Sequence, residues 1–201
     1  MLTREAIRRR LQDAHEKTNL LGGDHALNPG WDAPPHLKDA AVLIPLVERA
    51  DGLTLLLTRR TDHLDHHPGQ ISFPGGHVDA GDATPTAAAL RELEEETGIA
   101  AAHVEIAGLL DLYVTRTGFA ITPVVGLLTP PFDVTPDAHE VAEVFEVPLD
   151  FLMDPAHHQR RSRPFEGRTR YYYAMPYRGY DIWGATAGMI KNLHSVLMEE
   201  T

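Results

Sequence analysis

Apolar positions change period several times along the chain, and each change marks an element. Between Thr3 and His15, Ile7 and Leu11 recur among charged residues at helical spacing, which predicts an amphipathic helix. Gly, Pro, Asn and Asp crowd Leu20 to Lys38 and predict a loop. Two apolar runs, Ala40 to Val47 and Leu53 to Thr58, flank Arg49-Ala50-Asp51-Gly52 as in a hairpin. Thr61 to Gln70 is polar and His-rich. Ile71-Ser72-Phe73 reads as a short extended piece that Pro74-Gly75-Gly76 stops. Thr84 suits an N-cap, Pro85 the first turn, and Ala87-Ala88-Ala89-Leu90 propagate a helix that Gly98 closes.

Beyond Gly98, Val104 to Thr115 and Phe119 to Leu128 read as paired strands around Arg116-Thr117-Gly118. A Pro/Asp loop covers Thr129 to Glu140. A strand follows at Val144 to Val147 and a short helix from Pro148 to Met153. Arg168 to Pro176 and Tyr180 to Trp183 form a second hairpin pattern around Tyr177-Arg178-Gly179. A closing helix from Ala185 to Glu199 carries Met189, Ile190, Leu193 and Leu197. No repeat or linker interrupts the order. It predicts one α/β (α+β) domain over residues 1–201, with a core near 38–195 and an N-terminal helix near 3–15.

Composition narrows the function classes. A formal net charge of −11 argues against a nucleic-acid backbone as partner, because phosphate binding needs a basic footprint. No run of eighteen apolar residues predicts a membrane span. Met1 to Arg10 is charged and unlike a secretory leader, so cytoplasm is the expected location. Cysteine is absent, which excludes thiolate metal sites. The histidines at 63, 66, 67 and 77 show no coherent zinc-ligand spacing.

The chemistry gathers on the helix after Thr84. Glu92, Glu94, Glu95 and Glu96 crowd its C-terminal end, where the helix dipole disfavours negative charge. Glu92, Glu95 and Glu96 are three or four apart, so they share a face and repel one another. A cation offsets that cost. Carboxylate oxygens suit Mg²⁺ or Mn²⁺, ions completed by water and substrate phosphates. Arg91 lies four before Glu95 and can steady it, while Leu90, Leu93 and Thr97 anchor another side. Gly75-Gly76, just upstream, lets backbone approach a ligand closely.

Arg91-Glu92-Leu93-Glu94-Glu95-Glu96-Thr97-Gly98-Ile99 resembles the second half of the Nudix hydrolase signature at every defined position. The first half departs from the pattern. Gly76 stands one residue further upstream than the signature has it, and Asp82 falls where its first glutamate belongs. Leu56-Leu57-Thr58-Arg59-Arg60 and Gly69-Gln70-Ile71-Ser72-Phe73-Pro74-Gly75-Gly76 resemble the added motif of the coenzyme A diphosphatase branch. Thr61 replaces its Ser or Ala, and Asp65 stands where that motif has Arg. Glu140-Val141, Val147-Pro148-Leu149 and Ile182-Trp183-Gly184-Ala185-Thr186 are similar to the same branch.

The resemblance implies an α/β/α sandwich with a mixed sheet and a Mg²⁺- or Mn²⁺-dependent hydrolase. Its small-molecule substrate would be coenzyme A, cut to 3′,5′-ADP and 4′-phosphopantetheine. The alternatives are a Nudix enzyme for ADP-ribose, a dinucleotide or a nucleoside triphosphate, and a non-catalytic nucleotide-binding module. A homodimer is one assembly compatible with it. On this resemblance Glu92 and Glu96 are the main metal ligands and Glu95 a third. Glu140 is the candidate general base, with Glu143 and a helix glutamate such as Glu95 as rivals, and Glu94 is solvated. Arg59, Arg60, Gly75 and Gly76 are the substrate-binding candidates. Neighbouring strand residues face opposite ways, so only one of the two arginines would point at the site. Tyr171-Tyr172-Tyr173 and Trp183 supply aromatic faces for a base or for the core.

Overall fold

The computed structural model describes residues 2–17, 22–31, 34–64 and 68–198. Asp65, His66 and His67 of the polar loop, and Glu199 of the closing helix, lie outside the described residues.

A mixed nine-stranded sheet forms the middle layer. In chain order it contains β1 (Gly22–Gly23), β2 (Lys38–Arg49), β3 (Gly52–Arg60), β4 (Ile71–Ser72) and β5 (Gly75–His77). It continues with β6 (Val104–Leu109), β7 (Tyr113–Val114), β8 (Phe119–Leu128) and β9 (Val141–Pro148). Its spine is the parallel pair β2 and β8, in register from Lys38↔Phe119 to Val47↔Leu128. Parallel strands covered on both faces need near-continuous apolar sequence, and these two runs supply it.

Period-two alternation then divides the core. Leu43, Val47 and Leu56 face one side, where Ala88, Ala89 and Leu93 of helix α3 (Pro85–Thr97) cover them. Ile44, Leu46, Leu55 and Leu57 face the other. There α1 (Arg4–Lys17) brings Ile7 and Leu11, and α5 (Ala185–Met198) brings Ile190, Leu193 and Leu197. The result is the expected α/β/α sandwich. Two one-turn α-helices, α2 (Asp24–Leu27) and α4 (Leu149–Leu152), and two 3-10 turns, Ala101–His103 and Pro155–His157, are also present among the described residues. Thr3 caps α1, its hydroxyl accepting the Ala6 N–H at 3.2 Å.

Four expectations need correction. Pro74-Gly75-Gly76 ends β4 after Ser72 as expected but is more than a turn: Gly75–His77 forms a strand of its own, β5, paired with Ala40–Val42 of β2. The vacancy arises because β3 pairs with β2 only from Leu46 to Arg49, leaving that stretch of β2 free on one side. The strand drawn from Val104 to Thr115 is two, β6 and β7, both antiparallel to β8. The register of β6 shifts between Ile106 and Gly108, where α1 presses Leu11 against the Gly108 backbone. The strand placed at Val144 to Val147 spans Val141–Pro148, because its outer residues pair with Arg60 and Thr54 of β3. The loop drawn from Leu20 to Lys38 contains β1 and α2.

A second sheet of three strands, β10 (Gln159–Phe165), β11 (Arg168–Tyr177) and β12 (Tyr180–Trp183), rests on α5. The hairpin β11–β12 was legible in the sequence. β10 was not, because Gln159-Arg160-Arg161-Ser162-Arg163-Pro164 offers no apolar alternation.

Candidate active site

Helix α3 is positioned by its own ends. The Thr84 hydroxyl accepts the Ala87 N–H at 3.1 Å, and Gly98 (φ 74°) takes the left-handed cap with its N–H on Glu94 O. Burial of Ala88, Ala89 and Leu93 fixes the rotation about the helix axis. That rotation puts Glu96 inside, Glu92 at the boundary, and Glu94 and Glu95 in solvent.

Glu96 is 5% exposed. Its carboxylate accepts the Gly75 N–H at 3.4 Å and the Thr58 hydroxyl at 3.5 Å, both at the long limit of a hydrogen bond. Burial raises its pKa to about 8; Gly75 and Arg60 oppose that rise, and Glu92 and Glu140 add to it. Burial likewise raises Glu92, against the pull of Arg91. Glu92 and Glu140 thus both disfavour charge on Glu96, and Glu140 likewise acts on Glu92.

Arg91 organises the rim. Its guanidinium donates to both oxygens of Asp82, at 3.2 and 3.0 Å, and to Glu92 and Glu95 at 2.9 Å each. It also donates to the His77 carbonyl at 3.1 Å, which ties α3 to the end of β5. Asp82, displaced from the signature in sequence, is thus the bidentate anchor of Arg91, and that guanidinium holds its carboxyl below the usual range. Glu95 is spent on the same arginine at the surface.

The two glycines shape the approach of carboxylate to backbone. A Cβ on Gly76 would sit 2.6 Å from the Glu92 carboxyl carbon. One on Gly75 would meet Ala41 O at 2.5 Å. Gly75 thus serves the β2–β5 pairing and donates its N–H to Glu96, while Gly76 leaves room for Glu92.

Alternation along β3 separates the two arginines. Arg60 lines the cleft and acts electrostatically on Glu96. Arg59 faces away and pairs with Glu143 at 3.3 Å, and Glu143 also accepts the Tyr180 hydroxyl at 2.6 Å. Glu140 sits in a turn laced to the end of β3: the Thr61 N–H donates to Glu140 O and the Thr61 hydroxyl to His139 O. His63 lies against His139 and His77 against Phe119, away from any joint ligand set.

The cleft holds about 300 Å³ and is lined by Arg60, Ser72, Gly75, Phe119, Arg163 and Trp183, among others. Tyr171 lies outside it, exposed beneath Arg160. Sequence reasoning did not single out Asp24, Arg163 and Arg170, which line the cleft, or Thr58, whose hydroxyl meets Glu96. Thr58 had a signal, standing two residues from Arg60 and so on the same strand face. The others had none, since distant segments bring them together.

Among the described residues, no three carboxylate or imidazole groups close into a ready-made metal cage. Glu92 is turned onto Arg91. The donor set still fits a hard divalent ion, because Mg²⁺ takes one or two carboxylates and fills its remaining positions with water and phosphate oxygens.

Comparison with known proteins gives the family. The NUDIX domain family model matches residues 37–166. A protein named uncharacterized Nudix hydrolase NudL from Enterobacter sp. strain 638 is 44% identical over 156 residues, covering 78% of this chain and 81% of its own. The protein of the same name from Escherichia coli K12 is 43% identical over 160 residues, covering 78% and 81%. Among solved structures, the Nudix hydrolase RenU from M. smegmatis superposes with a TM-score of 0.50 at 24% identity, covering 61% of this chain and 81% of that one, a likeness of fold. The chain belongs to the Nudix hydrolase family.

Proposed function

We propose that this Nudix hydrolase cuts the pyrophosphate bond of coenzyme A or a close derivative, releasing 3′,5′-ADP and 4′-phosphopantetheine. The observation that carries the reading is the buried Glu96 carboxyl at the Gly75 N–H, on which Glu92, Glu140 and Arg60 act electrostatically. This happens where the coenzyme A-type segment Leu56 to Gly76 meets the carboxylate helix.

Glu92 and Glu96 would hold Mg²⁺ or Mn²⁺, and Glu95 contributes by fixing Arg91. When bound, such an ion neutralises pyrophosphate oxygens and acidifies a water ligand. Glu140 takes the proton of the attacking water. A P–O bond forms to that water as the bridging P–O bond breaks, and the leaving phosphate carries away the electron pair. Arg60 neutralises charge on the anhydride from the cleft wall.

Asp65 in place of the motif arginine favours one second reading, a Nudix enzyme acting on ADP-ribose, a dinucleotide or a nucleoside triphosphate. The test is a panel of coenzyme A, ADP-ribose, NADH and nucleoside triphosphates with Mg²⁺ or Mn²⁺, products identified by mass. Coenzyme A should give the highest kcat/KM. Preference for ADP-ribose sinks the coenzyme A assignment. No turnover of any compound makes the chain a non-catalytic nucleotide binder.

A further inference from the structure

The three-stranded sheet turns two unlike faces outward and inward. Met175 and Ile182, directly paired across β11 and β12, are fully buried in the core that α5 completes. Alternation sends Arg163, Arg170, Tyr172 and Trp183 to the opposite face. Arg163 and Arg170 are direct cross-strand partners. Like charges placed opposite each other destabilise a sheet, and a chain of net charge −11 has carboxylates to spare for either position.

Only part of that charge is neutralised. Arg170 pairs with Asp24 at 2.9 Å, and Arg161, further along the same face, pairs with Asp181 at 3.0 Å. Arg163 has no carboxylate within 4 Å among the described residues. Its guanidinium lies 5.2 Å from the Trp183 ring centre and 6.0 Å from that of Tyr172. Arg163, Arg170 and Trp183 all line the cleft that also contains Arg60 and Gly75. The cleft thus has a second cationic wall, carried by a different sheet from the carboxylate centre.

We propose that Arg163 and Arg170, beside the Trp183 ring, form a second anion subsite for a phosphomonoester on the nucleoside half of the substrate, separate from the anhydride that is cut. The proposal rests on the reading of the cleft as a nucleoside pyrophosphate site. A guanidinium is the group that grips a phosphate through two parallel hydrogen bonds, and Arg163 is held over an aromatic face that leaves its fork free to do so. Asp24 is a positioning residue: it holds Arg170 at the cleft wall while also accepting the Tyr113 hydroxyl at 3.0 Å. The subsite distinguishes nucleotides that carry the extra phosphate from those that lack it, a selection the carboxylate helix has no means to make.

The test is calorimetric binding of adenosine 3′,5′-bisphosphate and of adenosine 5′-monophosphate to the full chain, without turnover. The wild-type protein should bind the bisphosphate at least about tenfold more tightly, the worth of one charge-assisted bond. Arg163→Ala should bring that ratio below about two, Arg163→Lys should keep part of it, and Arg161→Ala should keep it all. A wild-type ratio near one, a ratio that survives Arg163→Ala, or equal loss in Arg161→Ala overturns the subsite. Failure of the substrate reading looks different. A protein that shows the ratio but leaves coenzyme A uncut keeps the subsite and loses the substrate. One that cuts coenzyme A with no ratio does the reverse.

Discussion

Glu96 is an expensive residue to bury. It loses most of its solvation, has two long hydrogen bonds in return, and faces two other carboxylates. A neutral amide of the same shape removes the ligand charge and keeps the packing. Glu96→Gln should therefore lower kcat by at least about a hundredfold, more than the usual effect of an outer-shell change. Its far-UV circular dichroism should match the wild type. Near-wild-type turnover would remove Glu96 from the metal site. The two glycines separate by the same kind of argument. In Gly75→Ala the new methyl meets the Ala41 carbonyl, which is backbone and cannot swing aside, so the loss should appear as about 1–3 kcal/mol in urea unfolding. In Gly76→Ala the methyl meets the Glu92 carboxylate, so the loss should appear in turnover, with unfolding little changed. Equal effects of the two in both measurements would contradict this division.

Helix α3 was legible from sequence because every signal that sets it is local: Thr84 and Pro85 at one end, Gly98 at the other, and an Ala-rich first half. Thr84→Ala deletes the bond to the Ala87 N–H and should cost about 1 kcal/mol of unfolding free energy, checked by urea titration, with activity at 25 °C retained. Strand β5 was illegible for the opposite reason. Its three residues pair only because β3 diverges from β2, a fact about strand register that no short window contains. Strand β10 failed differently, its charged sequence serving a cleft wall instead of a core. The site divides along the same line. Motif spacing singled out Glu92 and Glu96 as candidates, and period two required that only one of Arg59 and Arg60 face the cleft without telling which. The anchoring of Arg91 by Asp82 closes a loop that spacing alone left ambiguous, and the wall of Arg163 and Arg170 depends on a sheet whose first strand went unseen.

At the scale of the molecule, two layers that fold around separate clusters meet at one charged seam. The cluster under α3 delivers Glu92 and Glu96, and the larger cluster under α1 and α5 carries the small sheet with its arginines. Across this seam Glu92 and Glu140 disfavour charge on Glu96, so an ion that binds Glu92 and Glu96 favours the folded chain by mass action. At a concentration one hundred times its Kd, Mn²⁺ should add about 2.7 kcal/mol of stability. For a domain of this size that is a rise of roughly 5–10 °C in Tm. A chelator should reverse the rise and abolish turnover together. Glu96→Gln should reduce the shift to below about 2 °C. Glu94→Gln, at an exposed position with no part in the seam, should preserve it, and Glu95→Gln, whose partner is Arg91, should preserve most of it. A shift that vanishes in Glu95→Gln but survives in Glu96→Gln would move the ion outward to the surface of α3. The buried carboxylate would then be a structural feature of the sandwich and not the seat of the chemistry.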